Sequence, residues 1–226
     1  MKEELLKCLI CGSLWKFLGE MDRLTDETDD VEKGFTVCLD RKGRLHAVEA
    51  AGGTSSRVEL RTCPSGDVMV ATFHTHPYDP EGSAEPSVAD FYGALEEEAP
   101  GMCVGQPVSE KGFISNQVRC YMFNKAHPEY GEFRERFLRE AKLARLLTES
   151  LAILASAGYA DEVKKGIELY AGEKRKAEAL LEEAKRKGII VECPITRSES
   201  DRSYFRHVGD KYIALLFRRA KGGGKR

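Results

Sequence analysis

The hydrophobic pattern of this 226-residue chain changes its period near Pro128, and this change restricts the folds that the chain can adopt. Before Pro128, short β-rich runs alternate with turn signals such as the one at Asp40–Gly43. After Pro128, apolar residues recur at helical spacing in two stripes that are separated by Ser156–Gly158. The sequence therefore predicts an α/β protein in which a mixed sheet is followed by a helical hairpin.

The same periods predict the individual elements. Apolar residues at helical spacing indicate an amphipathic helix over residues 3–21, and an acidic, turn-forming stretch follows from Asp22 to Asp30. Gly52–Ser56 is predicted to be a loop, and a helix is predicted from Ser87 to about Glu98. The β-rich runs predict strands over residues 35–39, 44–50, 58–63, 68–73, 102–104, 118–123, 189–195 and 212–217.

These elements divide the chain into three predicted parts. Residues 1–128 are expected to form one compact α/β module. Residues 129–220 are expected to form a mainly helical accessory region, in which two short strands follow the hairpin. Residues 221–226 have the composition of a flexible basic tail.

The charge balance and the cysteine content limit the partners and the compartment. Lys and Arg number 35 and Asp and Glu number 37, so the net charge of −2 gives no bulk attraction to nucleic acid or to an anionic membrane. The apolar runs are too short to cross a bilayer, and the start of the chain lacks a signal-peptide pattern. The 7 cysteines have no dense spacing framework, so we predict reduced thiols in a cytoplasmic protein.

One cluster of residue types carries a chemical signal. His74 and His76 end a β-rich run, and side chains two apart in a strand point to the same face of the sheet. Asp90 falls in the first turn of the next predicted helix, where its carboxylate can face the end of that strand. Two imidazoles and one carboxylate are a common zinc set that leaves a fourth position open for water. The three residues are therefore candidate zinc ligands.

A simpler interpretation exists for part of this cluster. Ser87 and Asp90 have the spacing of a helix capping box, in which the first side chain caps the helix and the second accepts a bond from the cap backbone. Without the histidines, these two residues would indicate only the start of a helix. The conjunction of His74-Thr75-His76-Pro77 with Pro86-Ser87-x-x-Asp90 favours the metal site.

This conjunction resembles the signature of the JAB/MPN family of metalloproteases (the JAMM motif), and the resemblance covers roughly residues 1–125. Residues 32–90 are also similar to the RadC-type branch. The resemblance implies a cytidine deaminase-like fold, a mixed sheet flanked by helices. It also implies that His74, His76 and Asp90 bind Zn²⁺ and that Ser87 stabilises the oxyanion. Ten residues separate His76 from Ser87, where the family usually has seven, which indicates an insertion in this loop.

The family's general base is a glutamate near the start of an early strand. Glu32 fits this description because it precedes the strand predicted over residues 35–39. A carboxylate at that place can take a proton from the attacking water and pass it to the leaving amine. Glu27 and Glu49 remain alternatives, and Glu32 could also be an ordinary solvated acid at the end of the acidic stretch.

The resemblance implies a zinc-dependent isopeptidase or peptidase, which hydrolyses the bond after the C-terminus of a ubiquitin-like protein by attack of zinc-bound water. The substrate would be a ubiquitin-like protein or its conjugate. One alternative is a non-catalytic MPN-type protein-interaction module, and another is a RadC-like protein of DNA metabolism. The helical hairpin after residue 128 could dock the substrate protein or form a homodimer.

Overall fold

A computed structural model describes residues 11, 14–27, 30–55, 57–78, 85–110 and 113–193. The described residues contain eight strands: β1 (Gly34–Leu39), β2 (Leu45–Glu49), β3 (Gly52–Thr54), β4 (Arg57–Glu59), β5 (Val68–Thr75), β6 (Gly101–Glu110), β7 (Phe113–Phe123) and β8 (Ile190–Cys193). They also contain four α-helices: α1 (Leu18–Asp26), α2 (Val88–Glu96), α3 (Tyr130–Ser156) and α4 (Ala160–Arg186). One turn of 3₁₀-helix, Trp15–Phe17, precedes α1.

Six of the strands form one mixed sheet in the order β2-β1-β5-β6-β7-β8. β1 pairs with β2 and β5 in the antiparallel sense, β5 pairs with β6 in the parallel sense, and β6 pairs with β7 in the antiparallel sense. β3 and β4 form a separate antiparallel hairpin. The parallel pair is joined by a crossover that contains α2, as such connections require. The predicted mixed α/β class is confirmed.

The described residues fall into two compact units. The first takes in the residues up to Glu85, Ala99–Met122 and those from Glu192, and it contains most of the sheet. In its core the rings of Phe35 and Phe73 lie 5.0 Å apart, and α1 packs against β5 and β6. The apolar side chains of the sheet and of the helix thus bury each other, as the predicted α/β architecture requires.

The second unit takes in Pro86–Glu98 and Phe123–Val191, and α3 and α4 form the predicted hairpin within it. Gly158, with φ of 83°, lies in the turn between the two helices, where a left-handed conformation favours glycine. A helical stripe that includes Phe133 and Phe137 is buried on α3, as is the stripe of Ala177 and Leu181 on α4. The predicted division of the chain at residue 128 stays a prediction.

The first helix and the following acidic stretch differ from the prediction. Residues 3–10 lie outside the described residues, and the helix continues to Asp26 where a turn was predicted from Asp22. Arg23 explains the difference, because it pairs with Glu20 one turn before it and with Glu27 one turn after it. Such pairs three and four residues apart stabilise a helix over this charged stretch.

The strand boundaries also differ. Gly52–Thr54, predicted to be a loop, pairs with Arg57–Glu59 as the β3–β4 hairpin, and the strand predicted over residues 58–63 is limited to its first residues. β6 and β7 are longer than predicted because they continue to pair beyond their apolar parts. The strand predicted over residues 212–217 and the basic tail at 221–226 lie outside the described residues.

The cysteines contradict the prediction of reduced thiols. Three disulfides join Cys11 to Cys193, Cys38 to Cys63 and Cys103 to Cys120. The prediction was wrong because it relied on spacing along the chain, whereas folding brings distant cysteines together. Cys103 and Cys120, for example, lie directly opposite each other on β6 and β7. Cys8 lies outside the described residues. The cytoplasmic location loses the support of free thiols and stays a prediction.

None of the helices among the described residues combines the length and the apolar character that a membrane span needs.

Candidate metal centre

The two histidines stand at the end of a central, buried strand. β5 is buried from Val70 onward, and it pairs with β1 on one side and β6 on the other. His74 lies opposite Gly34 of β1, and the backbone N–H of His76 donates to the carbonyl of Gly105, 2.8 Å away. Both histidines therefore stand on backbone that neighbouring strands hold in place.

The geometry of the histidine pair suits a metal. Nε2 of His74 and Nε2 of His76 are 3.2 Å apart. Two nitrogen ligands at about 2.0–2.1 Å from a tetrahedral zinc ion lie about 3.3 Å apart, so this separation is close to the one that zinc requires. The same distance also allows one neutral imidazole to donate a hydrogen bond to the other. The distance therefore fits both a zinc site and a hydrogen-bonded pair of histidines.

Ser87 and Asp90 form the capping box that their spacing allows. The backbone N–H of Ser87 donates to Oδ2 of Asp90 at 2.6 Å, and the backbone N–H of Asp90 donates to Oγ of Ser87 at 3.3 Å. Capping does not compete with the roles that the resemblance implies for Ser87 and Asp90, since a carboxylate has two oxygens and a hydroxyl keeps one O–H donor. Asp90 can therefore cap α2 and still ligate a metal.

The structure brings the three predicted ligands together. One ligand atom from each of His74, His76 and Asp90 lies within 4.8 Å of the others. His74 is buried, and the other two residues are half-buried, so a small molecule can reach them. A set of two imidazoles and one carboxylate suits zinc and related transition metals better than Mg²⁺ or Ca²⁺, which prefer all-oxygen sites. The donor set thus fits zinc and related transition metals.

The three candidate bases differ in their exposure to solvent and in their partners. Glu32 is 8% exposed, whereas Glu27 and Glu49 are exposed. Glu27 forms ion pairs with Arg23 and Lys33, at 2.7 and 3.7 Å. Continuing the β1–β5 register, in which Gly34 faces His74, by two residues would place Glu32 opposite His76 on the ligand face. Glu32 is therefore the best placed of the three, and its role as base stays a prediction.

The sequence did not reveal what holds the backbone of Glu32. The N–H of Glu32 donates to the carbonyl of Thr54 in β3, 2.8 Å away. A Cβ on Gly53 would lie 2.1 Å from the carbonyl oxygen of Glu32, so this close approach requires glycine. The pair Gly52-Gly53 was the available signal, but glycines between β-rich runs usually indicate a loop.

Glu85, two residues before Ser87, is held by contacts that the sequence did not predict. Glu85 accepts a charge-assisted hydrogen bond from Arg119, and the hydroxyl of Tyr121 donates to Oε1 of Glu85 at 3.2 Å. The contact with Tyr121 and the nearby charge of Glu85 raise the pKa of Arg119, so this guanidinium stays charged. These contacts anchor the C-terminal end of the long loop that follows His76.

Comparisons of the chain with protein-family models, curated proteins and solved structures found no match. The resemblance to the JAB/MPN family therefore rests on residues of the chain itself, namely the two histidines, Ser87 and Asp90 at their spacing.

Proposed function

We propose that this chain is a zinc-dependent peptidase of the JAB/MPN (JAMM) type. In this proposal, it hydrolyses the peptide or isopeptide bond after the C-terminus of a ubiquitin-like protein. The observation that carries the proposal is the grouping of ligand atoms of His74, His76 and Asp90 within 4.8 Å, because two imidazoles and one carboxylate are a ligand set used by catalytic zinc sites.

Each residue of the site has a defined role in the proposal. His74, His76 and Asp90 would hold the metal. Zinc bound there would supply an acidified water and a positive charge next to the scissile carbonyl. Glu32 would take a proton from the attacking water and later deliver it to the leaving amine. The hydroxyl of Ser87 would donate a hydrogen bond to the oxyanion that develops on the carbonyl, which stabilises the transition state.

The exposure of these groups supports a polypeptide substrate. Ser87 is exposed, and His76 and Asp90 are half-buried, so an extended chain could reach the ligands from solvent. The ubiquitin-like substrate itself comes from the family resemblance. The JAB/MPN fold is proposed on the same basis, and it is consistent with the mixed sheet in which a helix-containing crossover joins two parallel strands.

One observation favours a second candidate, a non-catalytic MPN-type interaction module. The capping box of Ser87 and Asp90 is complete, so both residues have a structural role that needs no metal. In this case His74 and His76 would be linked by a hydrogen bond, which their 3.2 Å separation allows. The two candidates differ in metal content and in activity.

The expected activity is cleavage of a ubiquitin-like protein that carries a short C-terminal extension or an isopeptide-linked lysine. Mass spectrometry should show a new terminus after the ubiquitin-like domain. A zinc chelator should abolish cleavage and added zinc should restore it, because in this proposal the reaction needs a bound zinc ion that a chelator can remove from its side-chain ligands. A cysteine-directed inhibitor should leave the rate unchanged. Cleavage that survives complete removal of metal would contradict the proposal, as would the absence of cleavage from a zinc-loaded protein.

A further inference from the structure

One residue beyond the paired part of β1 and β5, the opposite residues Lys33 and Thr75 form a further rung with an unusual acceptor. In a regular antiparallel ladder, every second pair of opposite residues exchanges two backbone N–H···O bonds, one in each direction. At the rung of Lys33 and Thr75, the N–H of Thr75 donates to the carbonyl of Lys33 at 2.8 Å. The return bond goes from the N–H of Lys33 to the side-chain Oγ1 of Thr75, at 2.9 Å. A threonine hydroxyl therefore closes the rung where a backbone carbonyl usually would.

This rung lies between the histidines and the candidate base. Thr75 stands between His74 and His76 in sequence, and Lys33 directly follows Glu32. The hydroxyl of Thr75 thus fixes the peptide group that joins Glu32 to Lys33 against the strand that carries both histidines. The β3–β4 hairpin holds the other side of Glu32 through Thr54.

We propose that Thr75 is a positioning residue for Glu32, which it holds in register with the histidines by accepting the hydrogen bond of the Lys33 N–H. This inference rests on the proposed function, in which Glu32 acts as the base. Thr75 is fully buried, with an exposed fraction of 0%, so the Lys33 N–H could not readily replace this acceptor with water. Because a base must lie within hydrogen-bond reach of the proton it takes, a small displacement of Glu32 would slow the reaction.

The chemistry of the side chain at position 75 gives a matched set of variants. Thr75→Val keeps the shape of the side chain but removes the acceptor, whereas Thr75→Ser keeps the hydroxyl and removes only a methyl group. Hydrogen exchange of the Lys33 amide reports on the rung without any need for a substrate or a metal. We expect exchange about tenfold faster in Thr75→Val and close to the wild-type rate in Thr75→Ser. Unchanged exchange in Thr75→Val would overturn the inference, whatever the activity.

Cleavage kinetics then test whether the rung acts through Glu32. We expect Thr75→Val to lower the cleavage rate about tenfold to hundredfold with its zinc content unchanged, and Thr75→Ser to restore the rate. In a Glu32→Gln background, Thr75→Val should change the remaining rate by less than about twofold, because the group it positions is already inactive.

Three outcomes would contradict this positioning role. Loss of zinc from Thr75→Val would show that Thr75 holds the ligands and not the base. Equal rate losses from Thr75→Val with and without Glu32 would show that Thr75 acts independently of Glu32. A zinc-loaded wild-type protein without cleavage would overturn the proposed function together with this inference, even if the exchange result confirmed the rung itself.

Discussion

Replacing Glu32 with glutamine is expected to lower the cleavage rate by about 10²–10⁴-fold while zinc binding and the melting temperature stay close to those of the wild type. Glutamine has the size of glutamate and keeps a carbonyl oxygen, but its amide cannot take up a proton from water. Glu32 is buried beside the strand that carries the histidines, so a side chain of unchanged shape avoids a cavity. The measurement is the initial rate on a ubiquitin-like fusion at equal zinc occupancy.

Glu27→Gln and Glu49→Gln are the matched controls for this prediction. Both glutamates are exposed, and Glu27 is already engaged with Arg23 and Lys33. We expect each control variant to keep at least about half of the wild-type rate, since solvated surface carboxylates contribute little. If one of the controls loses most of its activity while Glu32→Gln stays active, the glutamate replaced in that control is the base. It would also remove the basis for the role of Thr75.

Removing the Cys11–Cys193 disulfide is expected to have the largest effect on stability. This bond joins residues 182 positions apart, and closing so long a loop lowers the entropy of the unfolded chain by an amount worth about 5 kcal/mol at 25 °C. For a chain of this length, about 5 kcal/mol corresponds to a fall of about 10–20 °C in the melting temperature. Calorimetry of the Cys11→Ala/Cys193→Ala variant, in the absence of reductant, measures the effect.

Cys38→Ala/Cys63→Ala is the matched control, because it removes the same atoms from a bond that closes a shorter loop. The separation is 25 positions, so we expect the free energy of unfolding to fall by less, about 3.5 kcal/mol. A titration of the unfolded, unreduced wild-type protein should find at most one free thiol, because three disulfides use six of the 7 cysteines. Finding all 7 thiols free, or equal melting temperatures with and without a reductant, would contradict the disulfides.

The sequence was most informative where a local rule determines the outcome. Alternation in a strand places His74 and His76 on one face, and the spacing of Ser87 and Asp90 sets the start of α2. These rules depend only on residues close together in the chain. The candidate ligands and the mixed α/β class could therefore be predicted from the amino-acid sequence alone.

The sequence was least informative where the outcome depends on distant pairing. Nothing in the spacing of the cysteines indicates that Cys11 meets Cys193, because that contact depends on the path of the chain between them. The β3–β4 hairpin consists of exposed residues apart from the half-buried Val58 and has no apolar alternation, so its pairing leaves no hydrophobic pattern. The hydroxyl of Thr75 finds its donor 42 positions away, at Lys33. Such contacts become visible only once strand register is known.

Zinc content tests most directly whether His74, His76 and Asp90 form a metal site. Asp90→Asn is the sharpest variant, since an asparagine oxygen can still accept the N–H of Ser87 and cap α2 but is a much weaker metal ligand. His127→Ala is a matched control, because Nδ1 of His127 accepts a bond from the N–H of Glu129 within a turn and lies outside the candidate set.

After zinc loading and removal of excess metal, we expect about one zinc per chain in the wild type and in His127→Ala. We expect little zinc in Asp90→Asn, while the metal-free melting temperatures of all three proteins stay alike. Zinc content in Asp90→Asn equal to that of the wild type, or a wild-type protein that binds no zinc, would contradict the metal site. Either result would leave Ser87 and Asp90 as a helix cap.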